Sequence, residues 1–214
     1  MSDRPDAVET LDRLDQDVRA CTRCDLHLTA TRGVPGEGPA DATVMLVGEA
    51  PGFNEDKQGR PFVGAAGKFL EELLGIANLK RSDVFITNIV KHRPPNNRDP
   101  LPAEVIACRP YLDRQIQAIN PKLIVTLGRF SLGAFFPGSM ISKVHGEVRE
   151  KDGRYFFHMY HPAAALHQDK LRQTLIDDMH KLAQFIQGPL AQAALAAPEA
   201  ADGKDEPPEQ LSLF

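Results

Sequence analysis

The sequence predicts an α/β fold in which a small, mainly parallel sheet of four strands lies between two layers of helices. The first observation is a set of four short apolar runs, each next to turn residues, as is typical of buried strands. The second is that helical patterns separate these runs, and strands alternating with helices favour a parallel sheet covered on both faces. The predicted strands are 43–48, 83–90, 122–128 and 155–160.

Each helix is predicted from a local pattern. Segment 67–79 repeats apolar residues at the three- and four-residue spacing of one helix face. Segment 103–119 follows Pro102, a residue that favours a helix start. A shorter helix is expected after Gly128, and segment 169–187 closes the folded part. The elements therefore predict a three-layer α/β/α arrangement.

We expect residues 1–187 to form one domain and residues 188–214 to form a disordered, acidic tail rich in Ala and Pro. A chain of 214 residues is about one domain, and its 42% hydrophobic residues can fill a normal core. The formal charge is −4. The tail contains five acids and one base, so the body keeps 24 of each and is neutral. A neutral body can still present a basic face, for which KHRPPNNR (91–98) is a candidate.

The chain lacks the usual signals for export or membrane insertion. No stretch approaches the ~20 apolar residues that span a bilayer, and the polar N-terminus MSDRPDAVET lacks a signal-peptide core. Three cysteines are an odd number and a poor disulfide framework. We therefore expect a cytoplasmic monomer whose cysteines bind a metal or are plain buried thiols.

Polar residues follow three of the predicted strands, at the sheet edge where α/β proteins bind ligands. Glu49 follows the first strand, Asn88 lies near the end of the second, and His161 follows the fourth. An Asn side chain offers an acceptor and two donors to a planar amide edge, and a His can donate to a developing oxyanion. Each residue alone is also typical of a structural role, so the prediction of a site depends on their convergence.

The loop after the first strand combines glycines with acids. Glycines between a strand end and a helix start often permit close backbone approach to a ligand. Glu49, Glu55 and Asp56 add carboxylates to this loop, and Phe62 follows Pro61. A solvated acidic loop is the alternative interpretation.

Three motifs in order resemble the iron–sulfur uracil-DNA glycosylases of family 4. They are GEAPG-x-x-ED-x-x-G-x-PFVG (48–64), TN-x-VK-x-RPPNNR (87–98) and HP-A (161–163). The match runs from about Cys21 to about Leu182 with similar spacing. The fold of that family, a small parallel sheet between helices, is the one predicted above.

The resemblance implies a monofunctional glycosylase of DNA base excision repair. A uracil must leave the base stack before its glycosidic bond can be reached. Phe62 would stack on the flipped base, Asn88 would pair with O4 and N3–H, and His161 would hydrogen-bond O2. Glu49 or Glu55 would stabilise the sugar cation or place the water, and the choice between them stays open because Ala50 stands where better-known uracil glycosylases have Asp. The implied substrate-binding residues are Gly48, Ala50, Gly52, Phe62 and Asn88.

The resemblance also implies contacts to the DNA backbone and groove. Arg93, Asn97 and Arg98 would contact phosphates, with a polar surface loop as the alternative. The family inserts a loop into the minor groove at the position of residues 161–170. Leu166 is the candidate wedge there, because Ala165 is small.

The cysteines indicate a metal site. Cys21 and Cys24 form a C-x2-C pair, and Cys108 lies far along the chain. The family holds a [4Fe–4S] cluster with four cysteines, of which three align here. The position of the fourth is taken by His92, and 15 residues lie between His92 and Cys108. Imidazole can replace thiolate in iron–sulfur centres, so we expect three thiolates plus His92. A three-iron or absent cluster with His92 unligated, and a Cys3His zinc site, are the alternatives.

The last five residues, QLSLF, resemble the pentapeptide by which bacterial repair proteins bind the replication sliding clamp. Leu211, Leu213 and Phe214 would fill an apolar groove, with Gln210 making polar contacts. A sticky terminus without function, or one that docks back on the body, is the alternative. For the whole chain, the alternative to an enzyme is a catalytically impaired iron–sulfur module that binds DNA and is recruited to the clamp.

Overall fold

In the computed structural model, which describes residues 7–190 and residue 192, a five-stranded sheet forms the centre of the protein. Its strands lie in the order β2-β1-β3-β5-β4, and all neighbouring pairs are parallel except β4 with β5. The mainly parallel sheet is therefore confirmed. The strands are β1 (Val44–Gly48), β2 (Phe85–Asn88), β3 (Leu123–Leu127), β4 (Val148–Lys151) and β5 (Arg154–Met159).

The prediction of four strands was wrong by one, since it omitted β4. This strand forms a hairpin with β5 through Asp152 and Gly153, both with positive φ (52° and 67°). An Asp-Gly pair is a strong hairpin signal, and it was in the sequence. The strand itself lacked the expected apolar run because it lies at the sheet edge with its residues largely exposed.

Helices cover both faces of the sheet, which confirms the three layers. One face packs against α4 and α8, and its core includes Leu46, Leu73 and Leu182. The other face packs against α5 and α6, with Met45, Leu112 and Phe135 in its core. The helices are α1 (Ala7–Arg19), α2 (Leu26–Thr29), α3 (Phe53–Gln58), α4 (Ala65–Ile76), α5 (Pro102–Ile119), α6 (Arg129–Phe135), α7 (Ile141–Val144) and α8 (Asp169–Phe185).

Two elements at the ends of the described region were not predicted from the sequence. Helix α1 was not predicted, and it packs on α5, burying Leu14 and Val18 near Cys21 and Tyr111. After α8 a further turn, Ile186–Leu190, places the side chain of Leu190 in the core, just past the boundary expected at Gln187. In the described region, no helix has the length and apolar character needed to cross a bilayer.

Candidate active site

A cavity of about 260 Å³ opens at the carboxyl ends of β1, β2 and β5. Strand register places Gly48 directly beside Asn88, and the chain turns from β5 into His161 at the same edge. The structure thus brings together the residues that sequence reasoning took from three separate strands. The residues that line the cavity are Glu49, Ala50, Pro51, Gly52, Glu55, Phe62, Ala66, Asn88, Pro94, Asn97, Arg98, His161 and Ala163.

Phe62 is buried at the cavity wall in a strained backbone conformation. Its φ is 50°, a left-handed value that is rare for a bulky residue and clusters at functional sites. The Arg81 guanidinium donates to the carbonyl oxygens of Pro61 and Phe62. A Cβ on Gly67 would lie 1.9 Å from the Phe62 carbonyl oxygen, so only glycine allows α4 to approach this turn. The Phe62 ring is therefore held at a fixed place.

Glu55 supports the same turn from inside the cavity. Its Oε1 atom accepts hydrogen bonds from the backbone N–H groups of Val63 and Gly64, each at 2.8 Å. These groups lie at the start of α4, where backbone donors lack partners within the helix. The Glu55 carboxylate therefore already serves the loop that carries Phe62.

Glu49 lies in a different environment from Glu55. Within residues 7–190, no hydrogen bond or ion pair to its carboxylate is formed. Burial and, to a smaller extent, the negative charge of Asp99 raise the pKa of Glu49 to about 7, against the opposing charge of Arg129. A carboxylate with a pKa near neutrality in a cleft is typical of functional groups.

Asn88 is 1% exposed, and its side chain faces the cavity. In the described part of the chain its Oδ1 atom has no hydrogen-bond donor. Buried polar atoms normally have partners, so an orphan acceptor at a cavity wall suits a ligand N–H group. A Cβ on Gly48 would lie 2.4 Å from this Oδ1 and 2.6 Å from Phe62 Cζ, which explains the glycine at the end of β1.

Lys91 lies beneath Asn88, and sequence reasoning gave it no role. Its ammonium group is fully buried and donates to Thr87 Oγ1, Asn88 O and Gln115 Oε1 at 2.7 to 2.8 Å. Burial lowers the pKa of Lys91 to about 7, and the Cys108 thiol opposes that effect. A lysine next to an exposed basic loop gives no sequence signal of burial.

His161 presents a neutral ring to the cavity. Its Nδ1 atom accepts a hydrogen bond from the Ala163 backbone N–H at 3.1 Å, which leaves the proton on Nε2. Burial lowers the pKa of His161 to about 4, against the opposing charge of Glu55. Its ring stacks on Phe62 with centroids 5.5 Å apart.

The basic loop 93–98 forms one rim of the cavity. Arg93 Nε donates to Asn97 Oδ1 at 2.6 Å. Arg98 is paired with both carboxylate oxygens of the buried Glu104, at 2.6 and 2.9 Å, so its charge is largely compensated. Leu166 lies in the turn Pro162–His167 and is 38% exposed, outside the cavity.

The three cysteines pack around α5: Cys24 packs against the buried cluster that contains Cys108, and Cys21 packs with Tyr111 of the same helix. Burial and the neighbouring thiols Cys24 and Cys21 raise the pKa of Cys108 to about 11. The backbone N–H and the positive charge of Lys91 oppose this effect, and the Lys91 nitrogen lies 3.4 Å from the Cys108 sulfur. His92 is buried, and burial and the charge of His27 lower its pKa against Asp56. The sulfur chemistry fits iron. In the region described, however, no group of three or more His, Cys, Asp or Glu side chains is arranged to hold a metal ion.

Fold and cavity together define a class of protein. A family model described as the uracil DNA glycosylase superfamily matches residues 35–183, which include all five strands and the residues that line the cavity. The match leaves out α1 and the C-x2-C pair.

Comparison with individual proteins narrows the class. The chain is 49% identical over 189 residues to a type-4 uracil-DNA glycosylase of Sulfurisphaera tokodaii, covering 83% of this chain and 86% of the relative. It is 46% identical to one of Archaeoglobus fulgidus (83% and 94%) and 43% identical to one of Thermotoga maritima (83% and 95%). The protein belongs to the type-4 uracil-DNA glycosylases, as its motifs predicted.

Proposed function

We propose that this protein hydrolyses the N-glycosidic bond of uracil flipped out of DNA and leaves an abasic site for base excision repair. The observation that carries the proposal is the single cavity lined by Glu49, Phe62, Asn88 and His161 in a member of this family. A flipped base must be bound, discriminated and released there.

Asn88 and Phe62 provide base recognition. The Phe62 ring gives the base a stacking surface, and the Asn88 amide donates to uracil O4 while its Oδ1 accepts from N3–H. Cytosine presents the reverse polarity at these two positions, so it would leave buried Asn88 groups without partners. Sites that hydrogen-bond a polar edge reject such mismatches strongly.

His161 acts on the leaving base. As the bond from C1′ to N1 breaks, the electron pair moves onto the base, and its O2 becomes negative. The neutral ring donates its Nε2 proton in a hydrogen bond to O2, and a preorganised donor of this kind contributes about 3–4 kcal/mol. Backbone N–H groups of residues 48–52 add further donors, which assigns Gly48, Ala50 and Gly52 to substrate binding.

Glu49 acts on the sugar, and Glu55 positions the Phe62 turn. Bond breaking leaves positive charge near C1′, which a carboxylate stabilises, and the water that attacks C1′ must lose a proton. Glu49 suits both tasks because its carboxylate is free of other hydrogen bonds in the described region and titrates near neutrality. Glu55 is bound to backbone groups instead.

Arg93, Asn97, Arg98 and Leu166 make the proposed contacts to DNA outside the cavity. Of the two arginines, Arg93 is the stronger phosphate ligand because Arg98 is paired with Glu104. Leu166 projects from an exposed turn, as a wedge into the duplex requires.

Uracil release tests the proposal. The unmodified protein should release uracil from a U:G duplex, and Asn88→Ala should release it at least about 100-fold more slowly. Gln173→Ala, which removes an exposed amide on α8, is the matched control and should retain full activity. Absence of release by the unmodified, folded protein would instead favour a DNA-binding module without activity.

We further propose that Cys21, Cys24, Cys108 and His92 hold a [4Fe–4S] cluster. The burial of Cys21, Cys108 and His92 and the Lys91 N–H donor to Cys108 support this ligand set, although the side chains would have to rearrange to bind a cluster. The cluster would join the N-terminal segment to the basic loop and α5. Iron, sulfide and zinc content with the optical spectrum of anaerobically purified protein tests it. One zinc without sulfide would refute the cluster, and a full cluster in His92→Ala would refute the imidazole ligand.

The proposed domain organisation is one catalytic domain followed by a tail that binds the sliding clamp. The clamp residues Gln210, Leu211, Leu213 and Phe214 lie outside the described residues, so this proposal depends on the sequence alone. Deleting 210–214 should abolish clamp binding and leave excision from a short oligonucleotide unchanged. Retained clamp binding would refute the assignment.

A further inference from the structure

An exposed aromatic ring lies at the mouth of the cavity. Phe53 begins α3 immediately after Gly52, which lines the cavity, and it is 48% exposed. Every other phenylalanine in the described region is buried or half-buried. A single exposed apolar residue is ordinary, but an exposed apolar ring next to a ligand site indicates a contact with that ligand.

Two cations lie against this ring. Lys57, one helical turn along α3, places its Nζ atom 4.3 Å from the ring centroid, and Arg93 places its Cζ atom 5.0 Å away. Neither forms an ion pair with a carboxylate in residues 7–190, in contrast to Arg98 on the same loop as Arg93. Their charges are therefore available to an anion.

The three residues adjoin the cavity on two sides. Gly52 connects Phe53 to the cavity wall, and Arg93 is hydrogen-bonded to Asn97, which lines the same cavity. A nucleotide whose base occupies the cavity has its neighbours on the strand at the cavity mouth, and this part of the rim is within their reach. An aromatic ring with nearby cations matches the chemistry of a base with its phosphate.

We propose that Phe53, Lys57 and Arg93 form a platform for a nucleotide adjacent to the flipped uracil on the same strand. The neighbouring base stacks on the Phe53 ring in place of one of the two cations that lie over it, and its phosphate lies beside Lys57 and Arg93. The inference builds on the proposed function in one respect only, namely that uracil occupies the cavity. The protein would then bind the damaged strand partly through a neighbouring base that it does not release.

A cycle between protein and DNA tests the platform without requiring catalysis. The probe is a fluorescent single-stranded oligonucleotide with 2′-fluoro-2′-deoxyuridine, whose electronegative substituent opposes bond cleavage. Affinity is measured by anisotropy for this strand and for strands with a baseless spacer on the 5′ or 3′ side of the analogue. Each strand is bound to the unmodified protein and to Phe53→Ala.

Stacking of a base on an aromatic residue is worth enough that its loss weakens binding about fivefold or more. We expect that loss from Phe53→Ala, and from one of the two spacers with the unmodified protein. Combining both changes should cost no more than either alone, because the two act on one contact. Full affinity of Phe53→Ala for the probe would overturn the platform. So would a result in which, for both spacers, the loss of affinity from the spacer multiplies the loss from Phe53→Ala.

Further variants separate stacking from packing and charge. Phe53→Trp should bind at least as tightly as the unmodified protein, whereas Phe53→Leu should bind as weakly as Phe53→Ala. Lys57→Gln should reduce the slope of log affinity against log salt by about 0.7, the value for one phosphate on a single strand. Val148→Ala, at an exposed position on the edge strand β4, is the control and should change neither quantity. Tight binding by Phe53→Leu would show that the ring acts by packing alone.

Failure of the platform can be told apart from failure of the proposed function. An inactive protein would release no uracil from an unmodified substrate, whatever residue stands at position 53. A failed platform would leave uracil release intact in the unmodified protein and in Phe53→Ala, with equal affinity for the probe.

Discussion

Replacing Gly48 by alanine should impair catalysis while leaving the fold intact. The added Cβ would lie 2.4 Å from Asn88 Oδ1 and 2.6 Å from Phe62 Cζ, whereas ordinary contact begins at 3.4 Å. One or both side chains must therefore retreat by about 0.8 to 1.0 Å. Asn88 is 1% exposed and Phe62 is 5% exposed on a turn fixed by Arg81, so the space open to either side chain is the cavity that the base must occupy.

The size of the effect follows from the displacement. A shift of about 1 Å in a positioning group costs roughly 100-fold in rate, and overpacking costs about 1–3 kcal/mol of stability. Uracil release under single-turnover conditions measures the rate, and thermal unfolding measures the stability. A rate within twofold of the unmodified protein would refute the claim that Gly48 sets the position of Asn88 and Phe62.

The matched control is Gly75→Ala near the end of α4. Among the described residues, no heavy atom outside the chain neighbours and the helix backbone lies within 4 Å of the added Cβ. Alanine stabilises a helical position by roughly 0.5–1 kcal/mol relative to glycine, so this variant should unfold at a slightly higher temperature with unchanged activity. The same substitution at two glycines thus separates the active-site effect from a general effect of losing glycine.

Further predictions concern three ionisable groups, the half-buried Glu49 and Glu55 and the buried Lys91. Because the pKa of Glu49 is raised to about 7 in the folded protein, its protonation stabilises the fold at low pH, and that contribution is lost as pH rises from about 4.5 to 7. If the carboxylate form of Glu49 is the active one, the rate of uracil release should rise about tenfold per pH unit below pH 7 and level off above it. His161 stays neutral above pH 4 and so does not add to this rise. In Glu49→Gln the rise should disappear, and the rate should fall by roughly 10²–10⁴. Glu55→Gln keeps an acceptor for the Val63 and Gly64 N–H groups, so its rate of uracil release should stay within about tenfold of the unmodified protein. Glu55→Ala removes that acceptor and should lose far more activity. Equal losses of activity in the two variants would show that the charge itself is needed. Lys91→Met removes the donor shared by three buried acceptors and should lower the free energy of unfolding by roughly 1–3 kcal/mol, measured by urea denaturation.

Much of the fold was readable from local patterns. Strands buried on both faces are continuous apolar runs, and β1 and β3 are buried along their whole length. Strand β4 was missed because an edge strand has no such requirement, although its Asp-Gly turn was available as a signal. Helix α1 was missed because only a narrow stripe with Leu14 and Val18 faces the protein.

The candidate site divides in the same way. Its residue types follow from three motifs and from the rule that ligands bind at the carboxyl ends of parallel strands. The different environments of Glu49 and Glu55 do not follow, because both are acids in one short loop. Only the packing of α4 against the Phe62 turn brings the backbone donors to Glu55 and leaves Glu49 without them.

By itself, the sequence determined the α/β class, the family and the residues that meet at the cavity, because these depend on periodicity and on motifs along the chain. The tertiary structure decided which of those residues have free functional groups. Burial and neighbouring charges set the pKa values of Glu49 and His161. The fold also puts Arg93, which has no carboxylate partner in the described region, beside Phe53, and it pairs Arg98 with Glu104. Apart from the local pair Arg98–Glu104, these properties arise from contacts between segments that are distant in sequence, so no local pattern contains them.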